Sequence, residues 1–117
     1  MWLHGGGLFT GYSETPGYTT DEDFTEAMDA VTVSVNYRLG MMGFMSVDEF
    51  TEDGNYANYG LSDMITALQW VKAHIAGFGG DPEAVTVLGE SGGGTAVLGM
   101  VSSPEANNLF HSAVSLR

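Results

Sequence analysis

Residues 89–93, Gly-Glu-Ser-Gly-Gly, place a serine between glycines in the pattern Gly-x-Ser-x-Gly. This pattern is typical of a sharp turn from a strand into a helix, which lifts the serine hydroxyl out of the sheet. A Cβ at either flank would collide with the turned backbone, so glycine is required there. The first amide after the serine then points at the oxyanion that forms when the hydroxyl attacks a carbonyl. The pattern predicts Ser91 as an acyl-transfer nucleophile and Gly92 as a backbone donor to the oxyanion.

Three glycines follow His4, at residues 5–7. A nucleophile turn supplies one oxyanion donor, whereas acyl transfer usually needs more than one, and the bare amides of a glycine run can provide the rest. A flexible turn and a phosphate-binding nest are the alternatives for this run. Phosphate is disfavoured because no Lys or Arg lies nearby and the chain has no Gly-x4-Gly-Lys pattern.

Both glycine motifs must follow strands to do this chemistry, and the sequence places strands there. Residues 84–88 form a compact apolar run typical of a strand, and residues 95–101 predict a helix leaving the turn. Residues 1–3 are a short apolar segment that predicts the end of another strand. This context favours a nucleophile turn over a plain glycine-rich connection between a strand and a helix.

The remaining elements alternate between helix and strand. Helices are predicted over residues 21–30 and 61–75, and strands over residues 31–36 and 110–116. Gly77 is expected to end the second of these helices. Residues 10–20 are predicted to be a loop, and residues 40–58 a loop with room for one short helix. Alternation of this kind predicts an α/β fold around a parallel sheet, in one domain or a piece of one.

Composition excludes several classes of function. The 117 residues hold 15 Asp and Glu against 3 Lys and Arg, a formal net charge of −12. Too few cations are present to build a basic patch, which excludes nucleic acids and anionic membrane surfaces as partners. The absence of cysteine excludes a thiolate nucleophile and a Cys-ligated zinc site. No apolar run approaches the ~18 residues of a membrane span, and residues 1–5 lack the features of a signal peptide.

Five motifs in a fixed order resemble the type-B carboxylesterase/cholinesterase family of α/β-hydrolases. They are HGGGLFTG (4–11), VNYRLG (35–40), NYGLSD (58–63), FGGDP (78–82) and GESGG (89–93). The resemblance extends over essentially the whole chain. It implies a partial α/β-hydrolase fold, with a mostly parallel sheet and flanking helices, truncated at both ends. Residues 1–117 are then expected to be a central fragment of a single domain.

The resemblance also assigns roles to four residues. It implies that Ser91 is the acyl-forming nucleophile, that Gly6 and Gly7 are the oxyanion donors of the first loop, and that Gly92 is the donor after the nucleophile. The family more often has alanine at the position of Gly92, but glycine serves because the donor is a backbone N–H. The implied substrate is a small-molecule carboxylic ester, and no cofactor or metal is implied.

A catalytic base is the missing part of this arrangement. The family's catalytic acid and histidine lie far downstream of the nucleophile, whereas this chain ends at Arg117. Structural roles are expected for His4, His74 and His111, and a serine without a base is hardly nucleophilic at neutral pH. We therefore expect an esterase in the parent protein and no activity from the 117 residues alone.

Two other functions are compatible with the resemblance. One is a non-catalytic, cholinesterase-like adhesion or binding module, and the other is a different α/β-hydrolase such as a lipase. Non-catalytic relatives usually lack the nucleophilic serine, so Ser91 favours an enzyme. Away from the motifs that bear on catalysis, Arg38 and Asp63 are expected to form a structural ion pair.

Overall fold

The computed structural model describes residues 1–15, 21–46 and 58–116. The loops predicted over residues 10–20 and 40–58 therefore lie partly outside the described residues. In the described part of the second loop, Gly40–Phe44 forms the one short helix for which the sequence left room.

Four parallel strands make up the sheet of the described residues, in the order β2-β1-β3-β4. The strands are β1 (Trp2–Leu3), β2 (Ser34–Val35), β3 (Thr86–Glu90) and β4 (Ser112–Leu116). Leu3 of the central strand β1 pairs with Val35 on one side and with Gly89 on the other. The predicted α/β architecture with a parallel sheet is confirmed.

Helices occupy the connections between these strands. The α-helices of the described residues are α1 (Glu22–Met28), α2 (Gly40–Phe44), α3 (Tyr59–His74) and α4 (Gly92–Val101). Short 3-10 helices follow at Ile75–Phe78 and Pro104–Ala106. α1 begins where Asp21 accepts a hydrogen bond from the Phe24 N–H, the capping arrangement that places acids at the positive end of a helix.

The strand boundaries differ from the predicted ones because pairing with neighbouring strands sets where a strand begins and ends. The strand predicted over residues 31–36 is only two residues long, since its partner β1 is itself two residues long. The strand predicted over residues 84–88 is displaced to Thr86–Glu90, because β4 pairs with it as far as Glu90 and Leu116. The strand predicted over residues 110–116 begins two residues later for the same reason.

The helix predicted over residues 61–75 is confirmed as α3, but Gly77 does not end it. α3 passes into the 3-10 helix, and the helical backbone stops only at Gly79, which has φ 87° and donates its N–H to the carbonyls of Ile75 and Ala76. Glycine readily adopts this left-handed conformation at the end of a helix because it has no Cβ.

Helices α3 and α4 pack against the central strands to form the core. Its fully buried side chains are Leu3 of β1, Val87 of β3, Met64 and Leu68 of α3, and Val97 and Met100 of α4. Burial of large apolar side chains at this density fixes the position of α4 over β1 and β3. The turn that carries Ser91 is therefore held by the core itself.

The predicted ion pair between Arg38 and Asp63 is confirmed. The Arg38 guanidinium donates to both carboxylate oxygens at 2.8 and 2.7 Å, and its backbone N–H donates to the same group at 2.9 Å. These hydrogen bonds hold the pKa of the Asp63 carboxyl below its ordinary value. The guanidinium also lies 5.0 Å from the centre of the Tyr59 ring. Together these contacts tie the start of α3 to the segment that follows β2.

Candidate active site

The strand order places a topological switch point between β1 and β3 at the carboxyl edge of the sheet. From β1 the chain crosses to β2 on one side, whereas from β3 it crosses to β4 on the other. The segments that leave β1 and β3 therefore diverge, and open α/β sheets bind their ligands at such a switch point. Because Leu3 pairs with Gly89, residues 4–7 and residues 90–92 emerge there side by side.

Ser91 occupies a strained backbone position at the start of α4. Its φ and ψ are 52° and −116°, a region that side-chain-bearing residues rarely adopt. Two hydrogen bonds hold it there: its N–H donates to the Leu116 carbonyl at 2.8 Å, and its carbonyl accepts from Thr95 at 3.0 Å. Such strain costs about 1–3 kcal/mol and persists where the surroundings enforce it, often at sites of catalysis. The side chain itself is exposed.

Three consecutive glycines bring the start of α4 against three different segments. A Cβ on Gly93 would overlap the Leu3 carbonyl of β1, and one on Gly94 would lie 2.7 Å from the Leu116 carbonyl of β4. A Cβ on Gly92 would lie 2.8 Å from the amide nitrogens of both Gly7 and Leu8. The helix predicted over residues 95–101 consequently begins at Gly92, because close packing outweighs the low helix propensity of glycine.

The loop after β1 has an unusual run of left-handed residues. Gly6, Gly7 and Leu8 have φ values of 107°, 63° and 65°. The Gly6 carbonyl accepts from the amides of Phe9 and Thr10, both at 3.1 Å, which closes a tight turn. The Leu8 carbonyl accepts from the Gly40 N–H at 2.7 Å, which anchors the turn to α2.

The two candidate donor segments meet at Gly92. The structure brings the backbone of Gly7 against Gly92, and it places the Leu8 amide equally close. Leu8 is not predictable from the motif, because the motif marks glycines and a leucine at positive φ has no sequence signature. Gly5 lies where a Cβ would approach the Ser91 Cβ at 3.2 Å, so this loop also adjoins the serine.

Comparison of the sequence with models of protein families identifies the class of this protein. The model of the carboxylesterase family matches residues 1–116. The chain belongs to the carboxylesterase family.

Individual carboxylesterases and solved structures agree with this membership. The chain is 46% identical over 116 residues to liver carboxylesterase of Sus scrofa, covering 98% of this chain and 19% of that protein. It is 41% identical to phenmedipham hydrolase of Pseudarthrobacter oxydans, covering 97% of this chain and 22% of that protein. A Clostridium hathewayi esterase structure, described as able to hydrolyse aliphatic aromatic polyesters, superposes with a TM-score of 0.89 at 40% identity over 97% of this chain and 23% of that one. The chain thus spans about a fifth of the length of these three relatives.

None of the three histidines in this carboxylesterase chain hydrogen-bonds to the Ser91 hydroxyl. His111 accepts the Val85 N–H on Nδ1 at 3.2 Å and directs Nε2 toward Glu83, at the opposite end of β3 from Ser91. His74 is exposed at the end of α3 and packs against Trp70. His4 is buried and directly precedes the three glycines at residues 5–7, which we call the glycine loop. Its Nδ1 is hydrogen-bonded to the Gly5 carbonyl.

The described residues of this carboxylesterase chain lack the features of two other kinds of site. They contain no group of three or more His, Asp or Glu side chains placed to hold a metal ion. None of their helices combines the length and apolar character needed to cross a membrane. A cavity of about 420 Å³ lies between α1, α3 and the amino ends of the strands, and Ser91 and the glycine loop do not line it. This cavity is therefore separate from the candidate active site.

Proposed function

We propose that this chain supplies the nucleophile and the oxyanion donors of a serine esterase that cleaves small carboxylic esters. One observation carries the proposal: Ser91 is held at a strained helix start beside the converging backbones of Gly7 and Gly92. The exposure of Ser91 and the lack of side chains on Gly7 and Gly92 support a site in which the hydroxyl and bare amides act on one carbonyl. The carboxylesterases among its relatives support an ester as substrate.

The proposed reaction proceeds through an acyl-enzyme. The Ser91 Oγ attacks the ester carbonyl carbon, its proton passes to a base, and the carbonyl electrons move onto oxygen as an oxyanion. The N–H groups of Gly6, Gly7 and Gly92 donate to that oxyanion and stabilise it. Collapse of the tetrahedral intermediate breaks the bond to the leaving oxygen, which takes the proton from the base and departs as the alcohol. Water, losing a proton to the same base, then attacks the acyl group and releases the acid, and the base returns the proton to Ser91.

The base in this proposal comes from outside the 117 residues. His4 and His111 each engage Nδ1 in a hydrogen bond with the backbone, and His74 packs against Trp70 at the far end of α3. The relatives are several times longer than this chain and have room for a histidine and an acid beyond the matched segment. The 117 residues alone are therefore expected to show no turnover that depends on Ser91.

Pre-steady-state hydrolysis of a short-chain 4-nitrophenyl ester tests the proposed function. We expect the protein at its full encoded length to release an initial burst of nitrophenol, because acylation precedes slower deacylation. The burst amplitude should approach one equivalent per protein. A folded full-length protein without turnover would refute the esterase and favour the non-catalytic binding module.

Alanine substitutions at Gly6 and Gly7 test the role of the first loop. A Cβ at Gly6 would overlap the Thr10 carbonyl, whereas one at Gly7 meets no atom within 4 Å. We expect Gly6→Ala to displace the donors and lower kcat on the order of 10²-fold, and Gly7→Ala to lower it by less than about 10-fold. Steady-state kinetics on the full-length protein measures both.

Gly79→Ala is the control for these two variants. It has φ 87° and open space around it, so it introduces the same left-handed strain as Gly7→Ala but far from Ser91. Its kcat should equal that of the wild type. A folded Gly6→Ala protein with unchanged kcat would show that this loop does not hold the oxyanion.

A further inference from the structure

His4 is held by burial, by a stacked ring on one face and by a hydrogen bond to its backbone. Only 2% of the residue is exposed, and its ring stacks on Tyr37 with 4.5 Å between the ring centres and an angle of 11° between the planes. The Tyr37 hydroxyl donates to the His4 carbonyl at 2.6 Å. Burial raises the pKa of Tyr37 to about 12, so the hydroxyl keeps its proton and remains a donor throughout the neutral range.

The imidazole makes one hydrogen bond among the described residues, to the Gly5 carbonyl. The distance from Nδ1 to this oxygen is 2.8 Å. A carbonyl oxygen only accepts, so Nδ1 carries the proton. Nε2 is buried and has no hydrogen-bond partner in the described part of the chain. Within these residues, the imidazole therefore hydrogen-bonds to one peptide group, that of Gly5 and Gly6.

The same peptide group contains one of the proposed oxyanion donors, the Gly6 N–H. The Gly5 carbonyl and the Gly6 N–H belong to the same planar peptide unit, and this unit is trans. In a trans peptide the C=O and N–H point in opposite directions, so a carbonyl held toward His4 directs the Gly6 N–H away from it. Accepting a hydrogen bond also polarises the peptide and makes its N–H a stronger donor.

Gly11 packs against this hydrogen bond. A Cβ at Gly11 would lie 2.5 Å from both the Gly5 carbonyl oxygen and the His4 Nδ1. The bare backbone of Gly11, at φ 108°, therefore lies directly against the bond. Exclusion of water from this contact strengthens the hydrogen bond electrostatically.

We propose that His4 is a positioning residue for the oxyanion hole: its Nδ1–H orients and polarises the Gly5–Gly6 peptide, so that the Gly6 N–H is aimed before the substrate arrives. The inference rests on the proposed esterase function. It assigns His4 no proton transfer and no contact with the substrate. It predicts that catalysis depends on a donor at the Nδ1 position and not on the imidazole as such.

Substitution of His4 by asparagine and by glutamine separates a requirement for a donor at the Nδ1 position from a requirement for the imidazole ring. In His4→Asn the amide nitrogen is attached to Cγ, as Nδ1 is, and can still donate to the Gly5 carbonyl. In His4→Gln the amide lies one bond further out, at the Nε2 position. We expect His4→Asn to keep kcat within about 5-fold of the wild type and His4→Gln to lose on the order of 10–10²-fold, with KM unchanged in both.

A purely structural role would give a different result. Both variants remove the same ring stacked on Tyr37, so their thermal midpoints should fall together, and kcat would then fall equally in both. Equal kcat values for folded Asn and Gln variants overturn the inference while leaving the esterase intact. A wild type without turnover that depends on Ser91 overturns the proposed function and this inference with it.

Two measurements do not depend on turnover by the variants. A trifluoromethyl ketone forms a tetrahedral adduct with an oxyanion, so its inhibition constant should rise in His4→Gln in parallel with the fall in kcat/KM and stay near the wild-type value in His4→Asn. Nitrogen-15 NMR of the wild-type imidazole should show the proton on Nδ1. A proton on Nε2 alone would overturn the inference even if neither variant folds.

Discussion

Replacing Ser91 by alanine is expected to abolish ester hydrolysis by the protein at its full encoded length. Removing the nucleophile of a serine hydrolase lowers kcat on the order of 10⁴–10⁶-fold, because only the oxyanion donors and substrate binding remain. A fluorophosphonate probe should label the wild type on the peptide that contains Ser91 and leave Ser91→Ala unlabelled. Ser102→Ala, at an exposed serine that follows the last turn of α4, should be labelled like the wild type.

The backbone at Ser91 provides a second variant that separates activity from stability. Alanine at φ 52° keeps the strain of the native serine, whereas glycine relieves it. Ser91→Gly should therefore be as inactive as Ser91→Ala, yet more stable than the wild type by about 1 kcal/mol. A label on another serine, or hydrolysis by either variant at rates near the wild type, would contradict the assignment of Ser91.

The position of Ser91 was predictable because its motif constrains the local backbone. Gly89 and Gly93 flank a turn in which a Cβ on Gly89 would overlap the Gly93 backbone. The pattern therefore reflects a steric requirement of the turn itself, which does not depend on distant parts of the chain. The parallel sheet was predictable for a similar reason, since alternating helices and strands leave few ways to connect neighbouring strands.

The features that the sequence did not predict depend on distant partners. β2 is short because β1 is short, and α4 begins at Gly92 because β1, β4 and the glycine loop meet it there. Local propensity cannot anticipate either fact, because both are set by tertiary packing. The left-handed Leu8 and the hydrogen bond between His4 and Gly5 also follow from the folded arrangement alone.

Gly93→Ala is expected to cost the full-length protein about 3 kcal/mol or more of its free energy of unfolding. The added Cβ would overlap the Leu3 carbonyl and lie 2.8 Å from the His4 carbonyl oxygen. Both are backbone groups at the carboxyl end of β1 and cannot rotate away as a side chain can. Either α4 must retreat from β1 or β1 must leave its pairing with β3, and overpacking against a rigid core costs several kcal/mol.

Gly77→Ala is the matched control, because its Cβ would meet no atom within 4 Å and its φ is not in the left-handed region. It should be neutral or stabilise the protein by up to about 0.5–1 kcal/mol, since alanine restricts the unfolded chain more than glycine does. Urea denaturation of both variants measures the difference in their free energies of unfolding.

The Gly93→Ala protein that remains folded should also lose kcat, because α4 carries the proposed donor Gly92 at its first position and this donor shifts with the helix. A Gly93→Ala protein with a wild-type urea midpoint would mean that α4 tolerates displacement from β1, and that the contact between Gly92 and the glycine loop is not fixed by the core.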